Sequence, residues 1–290
     1  MKSVAILGIG AMGSRMAKRL LKAGHKVVVY NRTRERAQAL EGEGAAWAGS
    51  PREAAERCDI VISMVTDDAA SRALWLDPDD PKSGAVAGLR KGAIAIESST
   101  VTPSWVRQLG EAVAGRGAEL LDAPVVGSRP QAEAGALIYL VGGAEAPVAA
   151  AREILAALGG TLHHVGPAGS GTILKLAVNA LFGCQVAALA EIVGMVRRAG
   201  LDPKSAIELL GKMPIASPAL QGVGAQMAAR AFAPLFPVNL VEKDFRYVLE
   251  AAAQVQAATP VCAAVREVYA QAQRQGHGEE NISGVVQVFE

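Results

Sequence analysis

The chain opens on Val4-Ala5-Ile6-Leu7-Gly8-Ile9-Gly10-Ala11-Met12-Gly13, a short apolar run that ends in GxGxxG. The run reads as a buried strand, and the stretch Ala11–Ala23 that follows has helical spacing. In that context each glycine has a separate task. Gly8 permits the tight turn, Gly10 lets a pyrophosphate approach the backbone, and Gly13 lets the helix pack against the strand. Ala11 and Met12 lie in the opening turn, where unbonded N–H groups and the helix dipole favour phosphate. A GxGxxG alone is weak, and a purely structural glycine turn is the competing reading. Here a second apolar run, Val27–Tyr30, arrives on schedule and favours a dinucleotide site.

The residues after that second run select the cofactor. An NAD site places Asp or Glu there to bond the ribose 2′-hydroxyl. This chain has Asn31-Arg32-Thr33, with Arg34 and Arg36 close behind. A guanidinium and a hydroxyl suit a 2′-phosphate, so NADPH/NADP is expected over NADH. The alternative is a solvated basic helix start.

From Ser3 to about Val165 short apolar runs alternate with helical patterns. Val4–Gly8, Val27–Tyr30, Ile60–Val65, Ala93–Glu97 and Glu119–Pro124 read as strands, with Ile138–Val141 and Leu162–Val165 extending the sheet. Runs apolar throughout suit strands covered on both faces. After Gly166-Pro167 the strand-like runs nearly vanish, and breakers fall at Gly200, Pro203, Pro214, Pro218, Pro234, Pro237 and Pro260. The expected fold class is α/β. An N-terminal doubly wound Rossmann-type parallel sheet (residues 1–165) precedes an all-α C-terminal domain (166–290) that begins with a long helix.

Composition narrows the function. At 290 residues the chain has 29 Lys plus Arg against 28 Asp plus Glu, so no basic excess draws a nucleic acid. Cys58, Cys184 and Cys262 are far apart in apolar runs, without metal-ligand spacing, and read as buried free thiols in a reducing compartment. The N-terminus reads as a strand rather than a signal peptide. Leu176–Val196 is long and apolar enough to cross a bilayer, but Asn179, Gln185 and Glu191 would be costly there. It is read as a helix buried within the protein. The expectation is a soluble, cytoplasmic chain with no membrane partner.

None of His25, His163, His164 and His277 stands in a convincing catalytic setting. The better candidate lies in Gly169–Asn179, where Lys175 and Asn179 are four apart and share a helix face. A lysine in so apolar a helix is costly to bury unless it lines a cleft. Burial or a neighbouring cation would bring it toward the range useful for proton transfer. On spacing alone it reads equally as a snorkelling lysine at a helix start.

Five motifs in order give a more specific reading. These are GIGAMGSRMAKRL with NRT, ESSTV (Glu97–Val101), DAPVVGSRPQAEAGAL (Asp122–Leu137), GSGTILKLAVNAL (Gly169–Leu181) and EKDFR (Glu242–Arg246). Over essentially its whole length the chain resembles the β-hydroxyacid dehydrogenase family, and most of all its glyoxylate/succinic semialdehyde reductase branch. The resemblance implies that Lys175 is the catalytic lysine, with Asn179 orienting the ammonium or the substrate oxygen. It places Val65, Thr66 and Thr100 on the cofactor, which Lys243 reaches from the helical domain with Asp244 bracing the cleft nearby. On sequence alone, Lys243-Asp244 would be an ordinary solvated pair. It also gives the substrate carboxylate to the loop Pro124-Val125-Val126-Gly127-Ser128, largely through backbone N–H groups, and counts Gly171 among the substrate residues.

One departure stands out. The family's loop usually reads DAPVSG, with a serine that contacts the substrate carboxylate, and here that position is Val126. Either Ser128, Arg129 or main-chain N–H groups compensate, or the substrate differs. The reading is an NADPH-dependent reductase of short aldehyde acids, with a small aldehyde or hydroxy acid as partner and assembly as a homodimer or homotetramer. The rivals are a 3-hydroxyisobutyrate-type dehydrogenase using NAD(P) and a catalytically silent dinucleotide-binding scaffold.

Overall fold

The computed structural model describes residues 2–290. Strands β1 (Ser3–Leu7), β2 (Lys26–Tyr30), β3 (Ala46–Trp47), β4 (Ile60–Ser63), β5 (Ile94–Glu97) and β6 (Glu119–Asp122) form one sheet in the order β3-β2-β1-β4-β5-β6, all parallel. Helices α1 (Gly13–Lys22), α2 (Glu35–Glu41), α3 (Pro51–Glu56), α4 (Asp68–Trp75), α5 (Ala85–Gly88) and α6 (Pro103–Ala114) make the crossovers. The sheet has a core on each face. Val4 and Ile6 pack into one, Ala5 and Leu7 into the other, as strand alternation requires. Because β1 sits between β2 and β4, the chain order reverses beside it. Its carboxyl end is therefore the point where such sheets bind ligands.

The far edge departs from the all-parallel expectation. Strand β7 (Val125–Val126), helix α7 (Arg129–Ala134) and strand β8 (Leu137–Gly142) follow β6, and β8 runs antiparallel to both β6 and β7. The cause is the link from Val126 to Leu137, which is too short for a right-handed crossover to a parallel strand. Pairs Asp122–Gly142, Val125–Tyr139 and Val126–Ile138 keep one register, so β6 and β7 act as a single strand bent at Ala123-Pro124. Helix α8 (Glu145–Leu158) is long enough to cross over, and β9 (Gly159–Gly166) pairs parallel with β8.

The rest is helical: α9 (Ser170–Arg198), α10 (Pro203–Gly211), α11 (Pro218–Ala228), α12 (Val238–Gln254) and α13 (Pro260–Arg274), then a short 3₁₀ stretch, Ile282–Phe289. Pro203, Pro218 and Pro260 each take a first helical position, where the missing N–H has no intrahelical partner to lose. Two compact units emerge, with the division after Lys175, inside α9. The reason is local, because the first turn of α9 packs on the sheet. A Cβ on Gly171 would run into the carbonyls of Leu140 and Asp122.

Helix α9 is long and apolar enough to cross a membrane by length and composition, and half of its apolar window is buried. The expected helix buried within the protein is therefore buried on one side only. Leu181 and Met195 are exposed, because its outward face is apolar as well. Cys58 is buried and its thiol is pushed up to about 12 by desolvation. Cys184 and Cys262 are half-buried rather than buried.

Candidate active site

The glycine turn after β1 has the shape its spacing demands. Gly8 has φ +95°, and a Cβ there would lie 2.5 Å from Met64 O. A Cβ on Gly13 would collide with Gly8 O, so the helix can start this close to the strand only with glycine. Gly10 faces open space. Ala11 and Met12 lead into α1, whose first turn carries no acidic side chain to repel a phosphate. These features fit a dinucleotide pyrophosphate.

Asn31, expected at the cofactor, also has a structural role. Its Oδ1 accepts from Ile9 N at 3.0 Å, and its Nδ2 donates to Thr33 O at 2.8 Å. These two bonds brace the glycine turn against the end of β2, using one lone pair of Oδ1 and one N–H of Nδ2. Arg32 and Thr33 stay exposed beyond it. Arg34 lies 5.6 Å over the Trp47 ring and 3.8 Å from Glu41.

The loops after β4 and β5 are tied by a buried network. Val65 N donates to Ser99 Oγ at 2.9 Å, and Ser99 N donates to Glu97 Oε1 at 2.9 Å. Glu97 is fully buried, and its Oε2 accepts from Trp75 Nε1 at 3.0 Å and from the Ser71 hydroxyl. Ser71 in turn accepts from Trp105 Nε1 at 2.7 Å. The network holds the segments that carry Val65, Thr66 and Thr100. Sequence reading missed Glu97, Ser71, Trp75 and Trp105. The available signal was a carboxylate closing an apolar strand, since a buried charge must find donors.

At the end of β6, Asp122 is also fully buried. Its Oδ1 accepts from Gly169 N and its Oδ2 from Thr172 N, each at 2.7 Å. Burial holds its carboxyl above the usual range, with these N–H groups pulling the other way. The loop beyond it offers fewer free amides than expected. Pro124 has none, and Pro124 O accepts from Leu140 N at 3.1 Å. Antiparallel alternation then makes Val126–Ile138 the next bonded pair. Ser128 N donates to Gln131 Oε1 at 2.9 Å, as part of a capping box that starts α7. The expectation of backbone N–H groups along the whole loop therefore narrows to Val125 and Gly127. Val125 is buried and Gly127, at φ +122°, is exposed. The Ser128 hydroxyl accepts within the box.

On α9, Gly171 is buried against β6 and β8, where close packing requires a glycine. Lys175 is buried one turn later. Asn179 follows after another turn, and its Nδ2 donates to Asp244 Oδ2 at 2.6 Å. Asp244 Oδ1 lies 3.1 Å from Lys243 Nζ, which sits 4.8 Å from the Tyr247 ring centre. Asn179, Lys243 and Asp244 are all buried, so Lys243-Asp244 is not the solvated pair that sequence alone suggests. The structure thus gathers Gly8–Gly13, Asn31–Thr33, Val65–Thr66, Thr100 and Pro124–Ser128 at the carboxyl ends of β1, β2, β4, β5 and β6, and clusters Asn179 with Asp244 and Lys243 in the helical unit.

Comparison with known proteins agrees with this layout. Residues 3–166 match the NAD binding domain of 6-phosphogluconate dehydrogenase, and residues 169–289 match the NAD-binding domain of NADP-dependent 3-hydroxyisobutyrate dehydrogenase. Glyoxylate/succinic semialdehyde reductase 2, chloroplastic, of Arabidopsis thaliana is 33% identical over 99% of this chain and 79% of its own length. The 3-hydroxyisobutyrate dehydrogenase of Pseudomonas aeruginosa is 35% identical over 93% of this chain and 91% of its own. Among solved structures, a Mycobacterium tuberculosis 3-hydroxyisobutyrate dehydrogenase with L-serine has a TM-score of 0.90 at 27% identity, covering 100% of this chain and 99% of that one. The glycine turn, the buried lysine and these matches over both halves lead to one conclusion: the chain belongs to the β-hydroxyacid dehydrogenase family and is an NAD(P)-dependent oxidoreductase of hydroxy acids and their aldehydes.

Proposed function

We propose that the protein is an NADPH-dependent reductase of short aldehyde acids, of the glyoxylate or succinic semialdehyde type. The observation that carries this reading is the buried Lys175, one turn into a helix whose start is fixed on the sheet. Gly8–Gly13 would hold the pyrophosphate, and exposed Arg32 and Thr33 a 2′-phosphate, with Asn31 following β2 where an NAD site has Asp or Glu. Bound there, the dinucleotide supplies the hydride. The Lys175 ammonium gives a proton to the oxygen that becomes the alkoxide, and in the reverse direction the neutral amine takes it back. Asn179 donates through Nδ2 to Asp244, which fixes its amide and leaves Oδ1 to accept from the ammonium or a substrate hydroxyl. The Gly127 N–H and the Ser128 hydroxyl would take the substrate carboxylate, in place of the serine that Val126 replaces.

The test is NADPH oxidation with glyoxylate, succinic semialdehyde, methylmalonate semialdehyde and tartronate semialdehyde, repeated with NADH. Fast turnover of one aldehyde acid with NADPH is expected; silence across the panel, with NADPH still bound, sinks the substrate class. Lys175→Ala should cut kcat by about 10²- to 10⁴-fold while leaving NADPH affinity within about twofold. Arg32→Ala should weaken NADPH more than NADH, and equal losses would remove the 2′-phosphate argument. The similarity to 3-hydroxyisobutyrate dehydrogenases favours a second reading, oxidation of a 3-hydroxy acid with NAD, which the same assay separates. Exposed Leu181, Met195 and Ile215 in the helical unit support pairing of two or four copies, measurable by sedimentation.

A further inference from the structure

Helix α9 begins without a side chain of its own to cap it. The residue before Ser170 is Gly169, at φ +96°, which offers the opening N–H groups nothing. The acceptor comes instead from Asp122, 50 residues earlier, at the end of β6. One oxygen takes Gly169 N and the other Thr172 N, both at 2.7 Å. Two bonds to two oxygens of one planar group fix both the height and the rotation of the first turn. Lys175 stands three residues beyond Thr172, less than one turn away.

The surroundings leave the carboxylate no slack. A Cβ on Gly142 would strike Asp122 Oδ1, and a Cβ on Gly171 would lie 2.6 Å from Asp122 O and 3.1 Å from Oδ2. Asp122 is therefore wedged between β8 and the helix start, with glycine on both sides. Its strand also continues in one register, past the bend at Ala123-Pro124, into Val125 and Val126. One residue thus joins the loop beyond β6 to the turn that carries the lysine.

We propose that Asp122 is a positioning residue, whose two oxygens hold the first turn of α9 and so set where Lys175 presents its ammonium. This rests on the reading of Lys175 as proton donor. Burial of the carboxyl disfavours its charged form, and the bonds from Gly169 N and Thr172 N oppose that effect.

The test compares wild type with Asp122→Asn, which keeps the shape but turns an N–H pair toward an N–H donor. Three quantities are measured: kcat per NADPH-binding site, the KM for the aldehyde, and amide hydrogen exchange in peptides of 169–176 and 184–198. We expect kcat to fall at least 30-fold, with NADPH affinity within twofold and KM within threefold. Exchange in 169–176 should rise at least tenfold, and exchange in 184–198 should not change. Gly142→Ala, which displaces the carboxylate without altering its charge, should give the same split and serves if the Asn variant does not fold. A wild-type kcat per binding site in the variants overturns the proposal, as does unchanged exchange in 169–176. Exchange is read without turnover. A wild-type chain silent on every substrate therefore breaks the reductase reading, and exchange alone then judges the helix anchor.

Discussion

Glu97 and Asp122 close adjacent strands, are paired in register, and are both fully buried. Neither is neutralised by a cation in the contacts described above, and each relies on hydrogen-bond donors. They differ in where those donors come from. Glu97 is served by the indole of Trp75, the hydroxyl of Ser71 and one backbone N–H from its own loop. Asp122 is served by two backbone N–H groups from a distant helix start. Side-chain donors tie loops together and can be removed one at a time by mutation. Backbone donors fix a helix and cannot be mutated away without moving the chain. The first arrangement suits holding a cofactor platform still, and the second suits aiming a single side chain.

The comparison can be broken in three ways, taken from the largest expected effect. Glu97→Ala leaves the Ser71 hydroxyl and the Ser99 N–H without an acceptor, while Trp75 Nε1 keeps Ser63 Oγ at 3.0 Å, and should cost about 2–4 kcal/mol in denaturant unfolding. A loss under about 1 kcal/mol would mean that water replaces the carboxylate, and the network is then no anchor. Trp75→Phe keeps most of the ring and removes one donor, so the expected loss is about 1–2 kcal/mol. The smallest effect is one of sign. Burial holds the Asp122 carboxyl above its ordinary 3.8, so the folded chain grips this proton more tightly than the unfolded chain does. That contribution is fully present below the ordinary value and is lost as pH rises through the folded one. In urea titrations from acid to neutral pH, wild type should lose ground to Asp122→Asn. A gain instead would show that the two N–H donors outweigh burial.

How legible the molecule was in its sequence follows the same division between local and distant causes. The glycine turn, the strand runs and the proline-marked helix starts are set by neighbours in the chain, and the structure has them where spacing predicts. The antiparallel β8 was less legible because its direction depends on the length of the link from Val126 to Leu137, and apolar periodicity does not register direction. The two-residue strands β3 and β7 are too short for any period to show. Asn31, Gly171 and the amide of Ser128 looked like ligand contacts because their positions lie in binding motifs. Each also has a structural task whose partners only folding supplies. Glu97 and Asp122 both lie inside the motifs, yet all their donors but Ser99 N come from elsewhere in the chain.

The distant cap on α9 also governs how the protein can be taken apart. The family match to the first half ends at residue 166, whereas the compact unit runs on to Lys175. A fragment cut at Gly166 would keep Asp122 in its apolar seat and lose both groups that bond to it. Such a fragment should be less stable than one ending after the first turns of α9. In refolding, that turn can lock only after β6 and β8 have paired, so the lysine-bearing segment should be among the last parts of the first unit to gain protection.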